Sequence, residues 1–175
     1  MALLCLLLGV RGVEASSAPD KEHQVKALFL FNFTQFVEWS VDAFPSKDAP
    51  IVVGILGPDP FHAYLDEVVS GEKVAGHSII IKRFGRGDSL PDCHILFIGD
   101  IDAKDLEKAI AASKERKILT VGESDGFSRQ GGMIRFTTLN GKIRLRINID
   151  AVRAANLVLS SKLLRLAEIV TPGKG

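Results

Sequence analysis

The residues best equipped for chemistry in this sequence are acids set beside glycines. Gly57, Gly99 and Gly122 each end a short apolar run, and Asp59, Asp100, Asp102, Glu123, Ser124 and Asp125 follow them closely. Carboxylates gathered on one rim can hold a cation or an amine. A Mg²⁺ pocket would need them to converge at about 2.0–2.1 Å from the ion. Each acid also has a capping role at the start of the segment that follows, where a carboxylate meets the positive end of a helix. The capping role needs no ligand, so no metal is expected. A small molecule seated on this rim would meet Gly57, Gly99, Ser124 and Phe127, with Asn32 and Asn148 as further amide candidates.

A second group is basic. Asn140-Gly141 is a strong signal for a two-residue hairpin turn, and such a loop pairs Leu139 with Lys142, Thr137 with Arg144, and Arg135 with Arg146. One face then carries Arg135, Lys142, Arg144 and Arg146, with Arg135 opposite Arg146. Like charges facing each other across strands are destabilising unless an acid, an anionic ligand or a partner separates them. The face is therefore either a solvated one served by acids of the last helix or Asp150, or a basic docking surface. Arg135, Arg144 and Arg146 are the partner-binding candidates.

Other chemistries find no support. Cys93 and His94 are neighbours on a strand and point to opposite faces, with no second ligand pattern beside them. His23, His62 and His77 have no partner at metal spacing either. There is no G-x-G-x-x-G and no Gly-rich loop ending in Lys-Ser/Thr, nor a G-x-S-x-G elbow. No catalytic residue and no cofactor is expected, and the chain reads as a non-enzyme. With 22 Lys+Arg against 21 Asp+Glu, the net charge of +1 gives no case for nucleic acid. One Trp and one Tyr leave little surface for stacking bases.

The elements that must position these residues follow from apolar patterning. The chain has 175 residues, 46% of them apolar, enough for one domain with its own core. Residues 1–10 form a short apolar run, and Val13 and Ala15 stand at the −3 and −1 positions of a signal-peptidase site. The run is too short to span a bilayer, so residues 1–18 read as an export leader and 19–175 as a single domain. Cys5 leaves with the leader. Residues 22–39 predict a helix with Val25, Leu28, Phe29, Phe33, Phe36 and Trp39 on one face. Leu30, Phe31 and Val37 widen that surface, and Asn32 falls within it. Phe31 and Trp39 are accordingly candidates for covering by a partner.

Apolar runs at 51–56, 95–98 and 118–121, each ending in glycine and followed by cap chemistry, predict buried parallel strands alternating with helices. Residues 73–75 and 77–84 add strand material. Residues 133–139 and 142–149 form the hairpin, which closes one edge of the sheet. Asp150 then caps a short helix and Ser160 caps a last one over SKLLRLAEIV. The expected fold is α/β, a Rossmann-like three-layer domain with a mostly parallel sheet and an antiparallel hairpin at one edge.

KALFLFNFTQFVEW, IVVGILGPDPF, DCHILFIG, ILTVGESDGFSRQGGMI and INIDAVRAANLVLSSKLLRLA, in this order over nearly all of residues 22–170, resemble the YfiR family of periplasmic regulators (YfiR/HmsC-like). The resemblance implies a Rossmann-like domain that commonly forms a homodimer. It also implies restraint of an inner-membrane diguanylate cyclase from the periplasmic side, relieved by an outer-membrane lipoprotein with a peptidoglycan-binding domain. Members also accompany sensor kinases, and aromatic small-molecule binding belongs to the implied repertoire, so a periplasmic sensor module is the alternative. Family members often pair a cysteine in the first sheet strand with the one before HILFIG. Gly54 occupies the first of these positions here, and the second pair of some members, around Ser128 and Arg135, is missing too. A disulfide switch is therefore not expected.

Overall fold

Asp20 starts the first helix, its carboxylate accepting the His23 backbone N–H at 2.9 Å. The computed structural model describes residues 20–85, 88 and 92–171; the expected leader and Cys5 lie outside the described residues. Helix α1 spans Lys21–Phe36 and gives way to a short strand β1, Val37–Glu38. The expected helix over 22–39 is thus too long by its last turn, because Val37 and Glu38 pair with residues near the other end of the chain. Its expected face is also turned. Val25 and Leu28 are 41% and 44% exposed, whereas Lys26, Ala27, Leu30, Phe33 and Thr34 are buried. The segment is apolar almost all round, so periodicity alone could not choose a face. Asn32 is only half-buried.

After a 3-10 turn at Val41–Ala43 come β2 (Ile51–Leu56), α2 (Ala63–Val69), β3 (Lys73–Val74), β4 (His77–Phe84), β5 (Ile95–Ile98), α3 (Ala103–Glu115) and β6 (Leu119–Gly122). Then follow β7 (Ile134–Leu139), β8 (Lys142–Asn148), α4 (Ile149–Ala154), β9 (Val158–Leu159), α5 (Ser161–Leu164) and β10 (Ala167–Val170). The main sheet runs β10-β8-β7-β6-β5-β2-β4-β3, and β1 pairs separately with β9. The pairs β4–β2, β2–β5, β5–β6 and β6–β7 are parallel, and β7–β8 is antiparallel. The expected mostly parallel α/β sheet with a hairpin toward one edge is what the chain builds.

Strand alternation makes the three layers. On β5, Ile95 and Phe97 join the core under α1 and α2, with Phe33, Phe61, Phe136 and Ile147. Leu96 and Ile98 point the other way and pack with Leu106 and Ile110 of α3 and with Phe127. Both faces of the central strands are covered, so their sequences read as unbroken apolar runs.

The C-terminal expectation needs correction. Ser160 does cap a helix, its hydroxyl accepting the Lys162 N–H at 3.2 Å, but the helix is only four residues long. Residues 167–170 are strand β10, parallel to β8 and lying outside the hairpin. Ala167 and Glu168 favour helix but the β-branched Ile169 and Val170 favour strand, and pairing with Leu145, Arg146, Ile147 and Asn148 decides it.

Candidate functional site

The strand order reverses between β2 and β5, the place where doubly wound sheets bind ligands beyond the carboxyl ends of their strands. A cleft of about 320 Å³ lies there, lined by His23, Pro58, Phe97, Gly99, Asp100, Glu123 and Ser124 among others. Gly99 is needed for packing: a Cβ on it would lie 2.4 Å from the Pro58 carbonyl oxygen. Most acids of the rim are already engaged. Asp59 accepts the Phe61 N–H at 2.7 Å and the Arg83 Nε–H at 2.6 Å. Asp102 caps α3 through the Asp105 N–H at 2.9 Å, and Asp125 pairs with Arg135. Among the described residues no group of three or more His, Cys, Asp or Glu could hold a metal ion.

Glu123 reaches into the helix layer. The Lys26 ammonium, 3% exposed, donates to Glu123 Oε2 at 2.7 Å and to Glu22 Oε1 at 2.6 Å. Burial pulls the Lys26 pKa down, yet its two carboxylate partners outweigh that and leave it raised. Glu22, bonded to Lys26 and to the Thr138 hydroxyl, is held below the ordinary glutamate range. Lys26 was not among the sequence candidates. The available signal was Glu22–Lys26 at i,i+4 spacing; Glu123 lies 97 positions away and gives none.

The ligand candidates do not converge. Gly99 and Ser124 line the cleft, and Gly57 follows β2 with a left-handed φ of 85°. Phe127 is fully buried, its ring held so closely by Gly122 and Gly132 that a Cβ on either would lie within 2.5 Å of it. Asn148 is buried as the cap of α4, accepting the Ala151 N–H at 3.1 Å and donating to the Ser128 carbonyl at 3.0 Å.

The hairpin register is Leu139↔Lys142, Thr137↔Arg144 and Arg135↔Arg146, as the two-residue loop requires. Asn140 and Gly141 both take positive φ, 52° and 69°. The opposed arginines are drawn apart by different acids. Arg135 pairs with Asp125 and donates to the Glu123 carbonyl at 3.2 Å, while Arg146 makes two bonds to Glu168 of β10, at 2.8 and 3.1 Å. Arg144 and Lys142 remain exposed at the tip beside Leu139, itself 59% exposed. Of the apolar partner candidates, Phe31 is half-buried against the core, and Trp39 donates its indole N–H to the Thr34 carbonyl at 3.1 Å.

A larger cavity, about 870 Å³, opens at the opposite end of the sheet, with Trp39, Val52, Cys93, His94 and Ile118 in its wall. Burial pushes the Cys93 thiol up to about 12. His94 is buried with both ring nitrogens engaged, accepting the Val52 N–H at 3.0 Å and facing the Ala43 carbonyl at 3.1 Å. A Cβ on Gly54 would sit 3.2 Å from Cys93 Sγ, which puts the two positions the family resemblance pairs side by side.

A family model described as YfiR/HmsC-like matches residues 23–168. A comparison with curated proteins finds no match.

Proposed function

The chain belongs to the YfiR/HmsC-like family, and from that membership we propose an exported, non-catalytic regulator that represses a membrane diguanylate cyclase by binding its periplasmic domain. Membership points to a periplasmic regulator of cyclic-di-GMP signalling acting with membrane signalling proteins. The observation that carries the proposal is the extent of the match, from the first turn of α1 to the middle of β10. The regulated enzyme is a diguanylate cyclase in this reading, or a sensor kinase in the same role. An outer-membrane lipoprotein would act as the competing partner and a homodimer as the working form. The exposed tip of the hairpin offers the cyclase a basic and apolar contact.

Deleting the chain should raise cyclic-di-GMP, and the protein should co-purify with the full-length membrane partner. An unchanged nucleotide level together with no retained membrane protein would sink the proposal.

A second reading is a small-molecule sensor module, favoured by the cleft at the switch point with its apolar floor and few polar groups. Thermal-shift screening with amino acids and vitamins should then give a hit that Ser124→Ala weakens. A flat screen removes this reading and leaves the first intact.

A further inference from the structure

We propose that the outward face of α1 is the surface through which two copies of this chain pair, their helices antiparallel about a two-fold axis near the helix midpoint. The inference rests on the homodimer named above and gives it an interface. Lys21, Val25, Leu28, Asn32 and Gln35 follow one another at steps of four, three, four and three residues. Such steps draw one stripe along a helix, the seam by which it packs on another helix. The stripe points away from the core. Lys26, Ala27, Leu30, Phe33 and Thr34 take the buried side of α1, whereas Lys21, Val25, Leu28 and Gln35 are exposed. Helix α1 thus has two faces patterned for packing, and its own domain covers one of them.

Residues 27–37 contain no charged side chain. The outer face of a surface helix ordinarily carries charged and polar residues. Here Val25 and Leu28 stand 41% and 44% exposed, with the part-buried rings of Phe29, Phe31 and Phe36 on their flanks. Asn32, half-buried within the stripe, has no hydrogen-bond partner among the described residues. A polar residue at a seam position selects register and orientation at a cost in strength.

The charges at the two ends of the stripe point to a second copy as the occupant. Lys21 is exposed at the start of α1, and Glu38 is exposed just beyond its end; Glu22 and Lys26 already pair with each other. A two-fold axis between Leu28 and Phe29 makes the contact self-complementary. It brings each Lys21 to the Glu38 end of the other copy and opposes the two helix dipoles. Parallel packing would set lysine on lysine and glutamate on glutamate. Near the axis the two Leu28 side chains meet, and each Val25 lies against Asn32 of the other copy. With 16 residues, α1 is about 24 Å long. A seam of that length falls short of the roughly 1,200 Å² of a standard interface, so the pair is a reversible one with a dissociation constant on the order of micromolar.

Sedimentation equilibrium of the whole chain, at about 1–300 μM, tests this directly. The expected result is a monomer–dimer equilibrium that Leu28→Lys weakens about tenfold or more, with the far-ultraviolet circular dichroism of the wild type retained. Lys21→Glu should weaken pairing by about three- to tenfold through two lost end contacts, and adding Glu38→Lys to it should restore the wild-type equilibrium. These end substitutions lie outside the apolar stretch, so they test the orientation even where Leu28→Lys disturbs the helix. A dimer that ignores Leu28→Lys, or a Lys21→Glu defect that Glu38→Lys does not repair, overturns the proposal. So does a Leu28→Lys variant that still self-associates but no longer retains the membrane partner, because the face then belongs to that partner. A chain monomeric throughout overturns it as well, and cyclic-di-GMP that still rises on deletion would then show repression standing without this interface. The expected equilibrium and rescue support the interface even where deletion leaves the nucleotide level unchanged.

Discussion

At Lys26, two carboxylates compensate a cation that the fold has taken out of water. Removing the ammonium leaves Glu22 and Glu123 facing each other, with Glu123 Oε1 already buried and without a hydrogen bond. Lys26→Ala should cost about 2–3 kcal/mol in urea unfolding, under the 3–5 of a fully buried pair because both acids are a third or more exposed. A depressed carboxylate stabilises above its unfolded pKa, so the gap between variant and wild type should narrow as pH falls below the ordinary glutamate value of 4.5. An unchanged midpoint would show that the network carries no stability. At Cys93, a thiol raised to about 12 should resist alkylation at neutral pH until the protein unfolds. In Gly54→Cys the new side chain starts 3.2 Å from Cys93 Sγ, and only the ends of Leu96 and Phe84 need to give way. Oxidised, that variant should lose the thiols of positions 54 and 93, and either of these two remaining titratable after denaturation would refute the juxtaposition. The sequence shows which residues stand at positions 54 and 93. That the two touch is a property of packing across β2 and β5, and no local pattern encodes it.

Elements differ in how far local rules decide them. The hairpin was fully legible because a two-residue turn fixes every pair beyond it, and the residue-by-residue register followed from Asn140-Gly141 alone. Gly141 at φ 69° has no strain to bear; Gly141→Ala should cost about 1 kcal/mol and lower the melting temperature by about 2–4 °C. An unshifted calorimetric transition would mean that the turn relaxes freely. Helix α1 was legible in its existence and its start but not in its face, since apolar residues surround it and its buried side includes a lysine. The end of the chain was the least legible. Ser160, Leu163 and Leu164 carry helix signals that hold for one turn, and residues 167–170 become strand only because β8 offers an open edge. The candidate cleft was legible as glycines after strands, whereas Phe127 and Asn148 proved to be interior parts whose polar or aromatic chemistry serves packing.

For the molecule as a whole, the pairing of charges decides which surface is left for a partner. Arg135 and Arg146 are paired with Asp125 and Glu168, so they tie β7 to the loop after β6 and β8 to β10 before they hold anything else. Arg144 and Lys142, on the same face and exposed, make no ion pair among the described residues. Reversing both, Arg144→Glu with Lys142→Glu, should leave the melting temperature within about 1 °C, since exposed charges without partners contribute little to folding. The same change should weaken retention of the membrane partner about tenfold or more and flatten its dependence on salt, because a rim charge acts through electrostatic complementarity and screening. Arg146→Glu would fail both criteria, placing like charge beside Glu168 and loosening β10. The comparison separates docking from folding: if the tip reversal keeps full repression and undiminished co-purification, the hairpin tip is not the docking surface, and the contact must lie on another exposed apolar stretch such as Val25 and Leu28 of α1.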